Sequence, residues 1–188
     1  MDPSRTDDLL RSLTTPVVAI TSARAGQRNG MISDGAIRAS IVPDAPRLVV
    51  RIHKWHFTHE IVSETDRFAL HLLHAGQADT VTKLGFSSGR DGDKLADIPH
   101  HLGATGCPIL EDCYAWFDCT VLNRMDAGYS TCFLGQPLDV GRGRGDAVLD
   151  PAQLREALPP QYRALYEQNL AAAQERARGL AWMFTPAP

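Results

Sequence analysis

The sequence lacks several short motifs by which nucleotide-binding and metal-dependent enzymes are recognised. It contains no G-x-x-x-x-G-K-[ST] phosphate loop, no G-x-G-x-x-G dinucleotide fingerprint and no H-E-x-x-H zinc motif. The basic G-R-G-R-G segment at 141–145 has none of these spacings and is expected to be a solvated loop. Any enzyme hypothesis must therefore rest on a bound organic cofactor or on a less codified site.

Long apolar runs and an excess of positive charge are also missing. No stretch approaches the roughly 20 apolar residues of a membrane span, and the polar, amphipathic residues 1–13 differ from a secretory signal. The 19 Lys and Arg residues are outnumbered by 22 Asp and Glu residues, which gives a formal net charge of −3. We therefore expect a cytoplasmic protein whose partner is a small molecule, with no membrane and no nucleic acid as partner.

The four cysteines include no C-x-x-C pair, which excludes the usual zinc and thioredoxin spacings. A disulfide framework is not expected in the cytoplasm. Free, partly buried thiols are therefore predicted at Cys107, Cys113, Cys119 and Cys132.

The segment RIHKWHFTHEI at 51–61 carries a histidine at every third position. If a strand ends near His53 and a helix begins at Thr58, His53 and His56 point to opposite faces and His59 lies in the first helical turn. Imidazoles placed in this way do not converge, and no standard ligand spacing is present elsewhere. We therefore predict no metal site.

The same junction between strand and helix has a second interpretation. Lys54 and Thr58 would stand beside the free backbone N–H groups of a helix N-terminus, and together these groups can bind a phosphate. Helix capping by Thr58 is the commoner reason for such residues at such a turn. The residues by themselves leave both interpretations open.

Short strand-like segments separated by short helices favour a mostly antiparallel barrel over a doubly wound sheet. From Asp150 the pattern becomes helical, with Pro151 at the first helical position and an apolar stripe that ends at Gly179. We therefore predict a β domain at 1–149 and a helical extension at 150–188 that packs on it or on a partner subunit. The predicted strands are 16–22, 31–42, 47–53, 67–73, 107–112, 115–126 and 130–141, and the earlier helices are 6–13, 57–64 and 77–86.

Several of these segments, taken in order, resemble the flavin reductase-like family of FMN-binding split-barrel proteins. The similar stretches are N-G-M-I-S at 29–33, the Thr-His pair at 58–59, G-R-D-G-D-K-L at 89–95 and the strands within 107–140. The resemblance spans residues 14–140. It implies a six-stranded antiparallel split β-barrel, a homodimer, and FMN, with FAD as the alternative, near the subunit interface.

The activity that the resemblance implies is transfer of hydride from NAD(P)H to the flavin. Reduced flavin then passes electrons to a monooxygenase or another acceptor. Because the flavin supplies the reactive chemistry, no catalytic side chain is predicted. The implied contacts are Met31, Ile32, Ser33 and Asp34 with the flavin ring, Ser40 with the ribityl chain or ring, and Lys54, Thr58 and His59 with the ribityl phosphate.

Three departures from the family pattern concern the nicotinamide more than the flavin. The turn at 126–131 reads D-A-G-Y-S-T, so that Ser130 replaces a histidine of many members, and Tyr129 and Ser130 are the predicted contacts of the second substrate. Asp34 is acidic and, if ionised, would disfavour an anionic reduced ring. The extension at 150–188 replaces a short C-terminus, and we predict that its helices close over the flavin side of the partner subunit.

Two alternatives to the reductase hypothesis stay open. One is a flavin-binding electron carrier or flavin-holding module without NAD(P)H turnover, in agreement with the replaced histidine. The other is a split barrel that binds a different ligand, such as haem, for which the histidines would matter.

Overall fold

The computed structural model describes residues 3–10 and 12–180. The strands in this part of the chain are β1 (Val18–Arg24), β2 (Gln27–Ser33), β3 (Ala36–Arg38), β4 (Leu48–His53), β5 (Arg67–Leu72), β6 (His100–Leu102), β7 (Pro108–Leu110), β8 (Ala115–Asp126) and β9 (Ser130–Arg142). The helices are α1 (Pro3–Leu10), α2 (Phe57–Thr65), α3 (Ala78–Gly85), α4 (Pro151–Ala157) and α5 (Pro160–Arg178). None of these helices is both long enough and apolar enough to cross a lipid bilayer.

Seven strands form one antiparallel sheet in the order β2-β1-β5-β8-β9-β4-β3, and β6 pairs with β7 in a separate sheet. The predicted mainly antiparallel β fold with helices is confirmed. The predicted count of six strands is not, because Asp34 and Gly35 divide the 27–38 segment into β2 and β3. These two short strands form the opposite edges of the seven-stranded sheet.

The two edges of this sheet approach each other around Gly35. The backbone N–H of Arg51 on β4 donates to the Gly35 carbonyl at 2.7 Å, and the Ser33 hydroxyl at the end of β2 donates to the Arg51 carbonyl at 3.3 Å. The sheet must curve strongly, since strands adjacent in sequence lie at its two edges. No continuous β2–β3 ladder closes it within the described residues.

Three predicted elements are displaced. Residues 27–30, predicted as part of a turn, belong to β2, and the chain instead reverses at Gly26, whose φ is 73°. The predicted strand 107–112 shortens to β7 and pairs outside the main sheet, with β6. The predicted opening helix 6–13 lies earlier, at 3–10. Local apolar content indicates a strand but not its partner, because pairing depends on tertiary contacts.

The main core lies on one face of the curved sheet. In β4 the even-numbered residues are buried and the odd-numbered residues are only partly buried, so the odd-numbered ones form the outer face. Phe68 and Phe133 are fully buried at the centre of the core, and α2 contributes Val62. Each such ring stabilises the fold by about 2–3 kcal/mol relative to an exposed ring.

A second cluster of buried residues joins the C-terminal helices to the sheet. Leu149 and Leu158, on either side of α4, are buried there, and Tyr162 in α5 packs on Phe86 with ring centroids 5.1 Å apart. Within the described part of α5 no residue is buried. The extension therefore packs on its own chain through α4 and the start of α5, and residues 181–188 lie outside the described structure.

The start of α4 follows the prediction. The Asp150 side chain accepts a hydrogen bond from the Gln153 backbone N–H at 2.8 Å, and the Gln153 side chain accepts one from the Asp150 N–H. Pro151 occupies the first helical position, where its missing N–H costs nothing. This reciprocal capping box fixes where the extension begins.

Candidate functional site

The turn between β4 and α2 gathers four rings into one group, here called the aromatic cluster: His53, Trp55, His56 and Tyr129. The His53 ring centroid lies 4.6 Å from that of Trp55, 5.5 Å from that of His56 and 5.4 Å from that of Tyr129. Trp55 and Tyr129 are roughly parallel, at 6.2 Å. The prediction that His53 and His56 point to opposite faces was wrong, because the chain leaves the strand at His53 and turns before α2.

Burial lowers the pKa of three histidines in this region. Burial, assisted by the charge of Arg51, lowers the pKa of His53 to about 4, and burial followed by His53 lowers that of His56 to about 4. Burial and then Lys54 lower the pKa of His59. Within the described residues, no three His, Cys, Asp or Glu side chains are placed to hold a metal ion.

Arg51 links the aromatic cluster to the end of β2. Its guanidinium lies 3.5 Å from the Asp34 carboxylate, 3.3 Å from His53 Nε2 and 3.5 Å from the Tyr129 hydroxyl. Ser33 bonds to the Arg51 carbonyl and accepts a hydrogen bond from the Gly35 N–H at 3.0 Å. Sequence reasoning missed Arg51, although strand alternation places it on the same face as His53.

Lys54 and His59 each have a partner in the β8–β9 hairpin. Lys54 Nζ donates to both carboxylate oxygens of Asp126 at 2.8 Å, and this hydrogen bond is the main cause of the lowered pKa of Asp126. His59 Nε2 lies 2.8 Å from the Thr131 hydroxyl, with its ring against Phe133. The lysine charge predicted for a phosphate is therefore already balanced by a carboxylate.

Thr58 does not cap α2 as predicted. His56 is the N-cap residue and makes no side-chain capping bond, while Thr58 is the second helical residue and is fully buried. Its hydroxyl accepts a hydrogen bond from Asn29 Nδ2 at 2.8 Å. Asn29 is itself buried on β2, and its Oδ1 has no hydrogen-bond partner within the described structure.

The other residues predicted to contact the flavin lie partly in the core and partly at the surface. Met31 is 5% exposed and belongs to the main core, and Ile32 packs against the second cluster. Asp34 is exposed. Ser40 is not brought near the others: its neighbour Ala39 pairs with Arg47, six residues along the chain from His53 and so on the order of 20 Å away.

The predicted substrate contacts lie together at the outer face. Ser130 is 1% exposed and pairs with His53 across the β4–β9 ladder. Tyr129 belongs to the aromatic cluster, and its carbonyl accepts a hydrogen bond from the Lys54 N–H at 3.0 Å. Ser130 therefore presents a small buried hydroxyl opposite His53 in the ladder.

The 87–94 loop closes over the start of α2. Arg90 forms an ion pair with Glu60, donates to the Trp55 carbonyl at 3.1 Å and lies 5.3 Å from the Phe57 ring centroid. Lys94 donates to the carbonyls of Leu84 and Ser87, and burial lowers its pKa to about 8.

The same loop contains a G-x-S-x-G pattern at 85–89, but not the geometry of a nucleophile elbow. Ser87 follows the C-terminus of α3, and its hydroxyl donates to the Lys83 carbonyl at 2.8 Å. A nucleophile elbow needs a strand before the serine and a helix after it. The serine therefore has no hydrolase role on this geometry.

A cleft of about 990 Å³ lies beside this region, at the β1–β2 turn. Arg24, Arg28 and Arg67 line it, and Phe57 and Gly89 connect it to the start of α2. Two of these arginines are already paired, Arg24 with Glu64 and Arg28 with Asp93. None of the residues predicted to contact flavin lines this cleft.

With this geometry in place, the comparisons define the class of protein. The family model "Flavin reductase like domain" matches residues 10–154, and the chain belongs to that family. The match covers the whole seven-stranded sheet and the first four residues of α4.

Two curated proteins are similar in sequence to this chain. "High molecular weight rubredoxin" of Moorella thermoacetica is 29% identical over 161 residues, 85% of this chain and 64% of that protein. "Probable flavin reductase" of Rhizobium meliloti is 29% identical over 136 residues, 72% of this chain and 42% of that protein. The chain therefore spans only 42% to 64% of the length of these curated relatives.

Among solved structures, the FMN-binding protein from Thermus thermophilus with bound 1-cyclohex-2-enone is similar in both sequence and fold. It shows 30% identity and a TM-score of 0.64. The superposed region covers 70% of this chain and 72% of that one.

Proposed function

We propose that this chain is an FMN-binding, flavin reductase-like oxidoreductase that passes hydride from NAD(P)H to the flavin, with FAD as the alternative cofactor. The observation that carries the proposal is the β4–α2 junction. There a helix N-terminus, Lys54 and the aromatic cluster meet in a chain of the flavin reductase-like family. The similarity to an FMN-binding protein of Thermus thermophilus supports the choice of FMN.

The donor groups present fit a flavin. The first backbone N–H groups of α2, at Phe57 and Thr58, have no partner inside the helix and can bind a phosphate. β2 is an edge strand, so alternate N–H and C=O groups of residues 29–33 point away from β1. We therefore place the phosphate at 54–59 and the polar edge of the ring at Ile32, Ser33 and Asp34.

Met31 and Ser40 have weaker support as contacts. The Met31 side chain is in the core, so only its backbone is offered to a ligand. Ser40 follows β3, next to Ala39, which pairs with Arg47 at the end of β4 remote from the proposed phosphate-binding residues. A contact from Ser40 therefore requires a flavin bound by another part of the assembly.

When bound, FMN supplies the redox chemistry, since its ring accepts a hydride from a nicotinamide. The chain holds and orients the reactants. Arg51 balances the charge of Asp34, which removes much of the expected penalty against an anionic ring. Tyr129 and Ser130 are the proposed nicotinamide contacts, and His53 adds an uncharged ring beside them.

Anaerobic stopped-flow mixing tests the proposal. The FMN-loaded protein is mixed with NADH and, separately, with NADPH while the flavin absorption band is followed. Bleaching of the band with at least one nucleotide is expected. If neither nucleotide bleaches it while dithionite does, the reductase activity is excluded.

A second candidate function is a flavin-binding electron carrier without NAD(P)H turnover. The buried Ser130, where many family members have histidine, favours it. For a carrier, reduction by dithionite is fast and reduction by NADH is slow. A Ser130→His variant that gains NADH turnover would assign the difference to this position.

We also propose a homodimer. On the outer face, Ile37, Val49 and Leu134 lie side by side across β3, β4 and β9, next to Met125 and Cys132 on β8 and β9. Ile37 and Met125 are 55% and 61% exposed. Contiguous exposed apolar groups of this kind mark interaction surfaces.

This outer apolar face (Ile37, Val49, Met125, Cys132, Leu134) continues into the candidate site. Arg51 and His53 follow Val49 on the same side of β4. A second subunit on this face would border the flavin, which suits a split-barrel dimer with the cofactor near the interface. We further propose that the chain divides between residues 149 and 150 into a β domain and a helical extension. The proposed acceptor of electrons from the reduced flavin is a monooxygenase or another protein.

A further inference from the structure

The cations near the β4–α2 junction differ in how far their charges are already balanced. Lys54 is held between the two carboxylate oxygens of Asp126, and Arg90 is paired with Glu60. Lys94 donates to backbone carbonyls. Because of these partners, the positive charges of the three side chains are only partly available to attract a bound anion.

Arg176 reaches the same junction from α5. Its guanidinium lies over the Trp55 ring, 5.3 Å from the centroid. Its side chain is exposed, and it forms no ion pair within the described structure. The neighbouring acid on α5, Glu175, is paired with Arg178 instead, at 2.5 Å.

The charge of Arg176 is felt at the start of α2. Burial is the main cause of the lowered pKa of His56, about 4, and after the neighbouring His53 the electrostatic causes include Lys94, His59 and Arg176. His56 is the N-cap of α2. The guanidinium is thus within electrostatic reach of the N–H groups at which the flavin phosphate is placed.

We propose that Arg176 is a specificity-determining residue for the phosphate of FMN. Stacked on Trp55, it supplies from the C-terminal helix the positive charge that Lys54 cannot supply in full. This inference rests on the proposed flavin function and adds a phosphate partner that the family-like segment 14–140 does not contain. It also gives α5, which buries none of its described residues, a role in ligand recognition.

Comparing FMN with riboflavin isolates the phosphate, because the two ligands share the ring and the ribityl chain. Dissociation constants of both are measured by quenching of flavin fluorescence with the full-length protein. Arg176→Gln should weaken FMN binding about five- to tenfold at low salt and leave riboflavin binding within about twofold, since an interaction with a charged group is lost at an exposed site. Arg176→Lys should retain most of the preference for FMN.

Arg178→Gln is the matched control, because Arg178 is exposed on the same helix and already paired with Glu175. It should leave both dissociation constants unchanged. If Arg176→Gln keeps the wild-type ratio of the riboflavin and FMN dissociation constants, this inference alone is overturned. The same holds if the variant loses affinity for both ligands equally. A wild-type protein that binds FMN no better than riboflavin overturns the proposed phosphate site and this inference together, whereas a normal ratio without NADH turnover overturns only the reductase activity.

Discussion

His71 shows how a single buried side chain can tie three strands together. It is fully buried on β5, where Nε2 accepts the Leu110 N–H of β7 at 3.1 Å and Nδ1 faces the Ala19 carbonyl of β1 at 3.3 Å. Because the Leu110 N–H is a donor, Nε2 must be unprotonated and Nδ1 carries the proton. Burial lowers the pKa of His71 to about 4.

His71 should make folding sensitive to acid. Its folded-state pKa is below the unfolded value of 6.5, so its contribution is complete above about pH 6.5 and is lost as the pH falls towards 4. Linkage gives a loss of about 2 kcal/mol by about pH 5. Urea unfolding of wild type and His71→Gln at about pH 7.5 and 5 should show a smaller acid loss in the variant.

The matched control is His101→Gln, because His101 is exposed. It should reproduce the wild-type acid loss. His53 and His56 also have pKa values near 4 and will leave part of that loss in every variant. An acid loss in His71→Gln equal to that of wild type would contradict the assignment.

Thr58 is the second residue whose role the structure redefines. Replacing it by Val should destabilise the protein by about 1–3 kcal/mol, because a buried amide of Asn29 loses its acceptor. Thr58→Ser keeps the hydroxyl and should cost less. Thermal and urea unfolding of the two variants measures the difference, and equal losses would show that the methyl group rather than the hydrogen bond matters.

At the scale of elements, the β4–α2 junction explains which part of the candidate site was predictable. The strand and the helix follow from local apolar patterns, and both are observed. The position of the N-cap does not follow from local patterns, because Thr58 is buried and hydrogen-bonded to the distant Asn29. The aromatic cluster likewise depends on Tyr129, 76 residues after His53 in the sequence.

The helical extension begins at a capping box, and its loss has a measurable cost. Asp150→Ala should lower the free energy of unfolding by about 1 kcal/mol, because the Gln153 backbone N–H in the first turn of α4 loses its acceptor. Asp150→Asn should retain most of the stability. Asp146→Ala, in the exposed segment before the helix, is the control and should have little effect, so comparable losses for both Ala variants would exclude a capping effect.

At the scale of the whole molecule, the outer apolar face is the surface at which we expect a second subunit to bind. Met125→Glu places a charge on it and should convert a dimer to a monomer, as read by light scattering after size-exclusion chromatography. Leu102→Glu, at a 67% exposed apolar residue on the separate two-stranded sheet, is the control and should leave the mass unchanged. A wild-type protein that is monomeric at all concentrations would contradict the proposed homodimer.

The sequence by itself determined the family-like order of segments, most strand positions and the start of α4, and it predicted the region of the candidate site. These features depend on local periodicity, turn residues and capping, which act within a few residues of chain. The tertiary structure decided the seven-stranded count, the burial of Thr58, the pairing of Lys54 with Asp126 and the approach of Arg176 to Trp55. Each of these joins residues distant in sequence, so only the folded chain, with its register and curvature fixed, brings their atoms within a few ångströms.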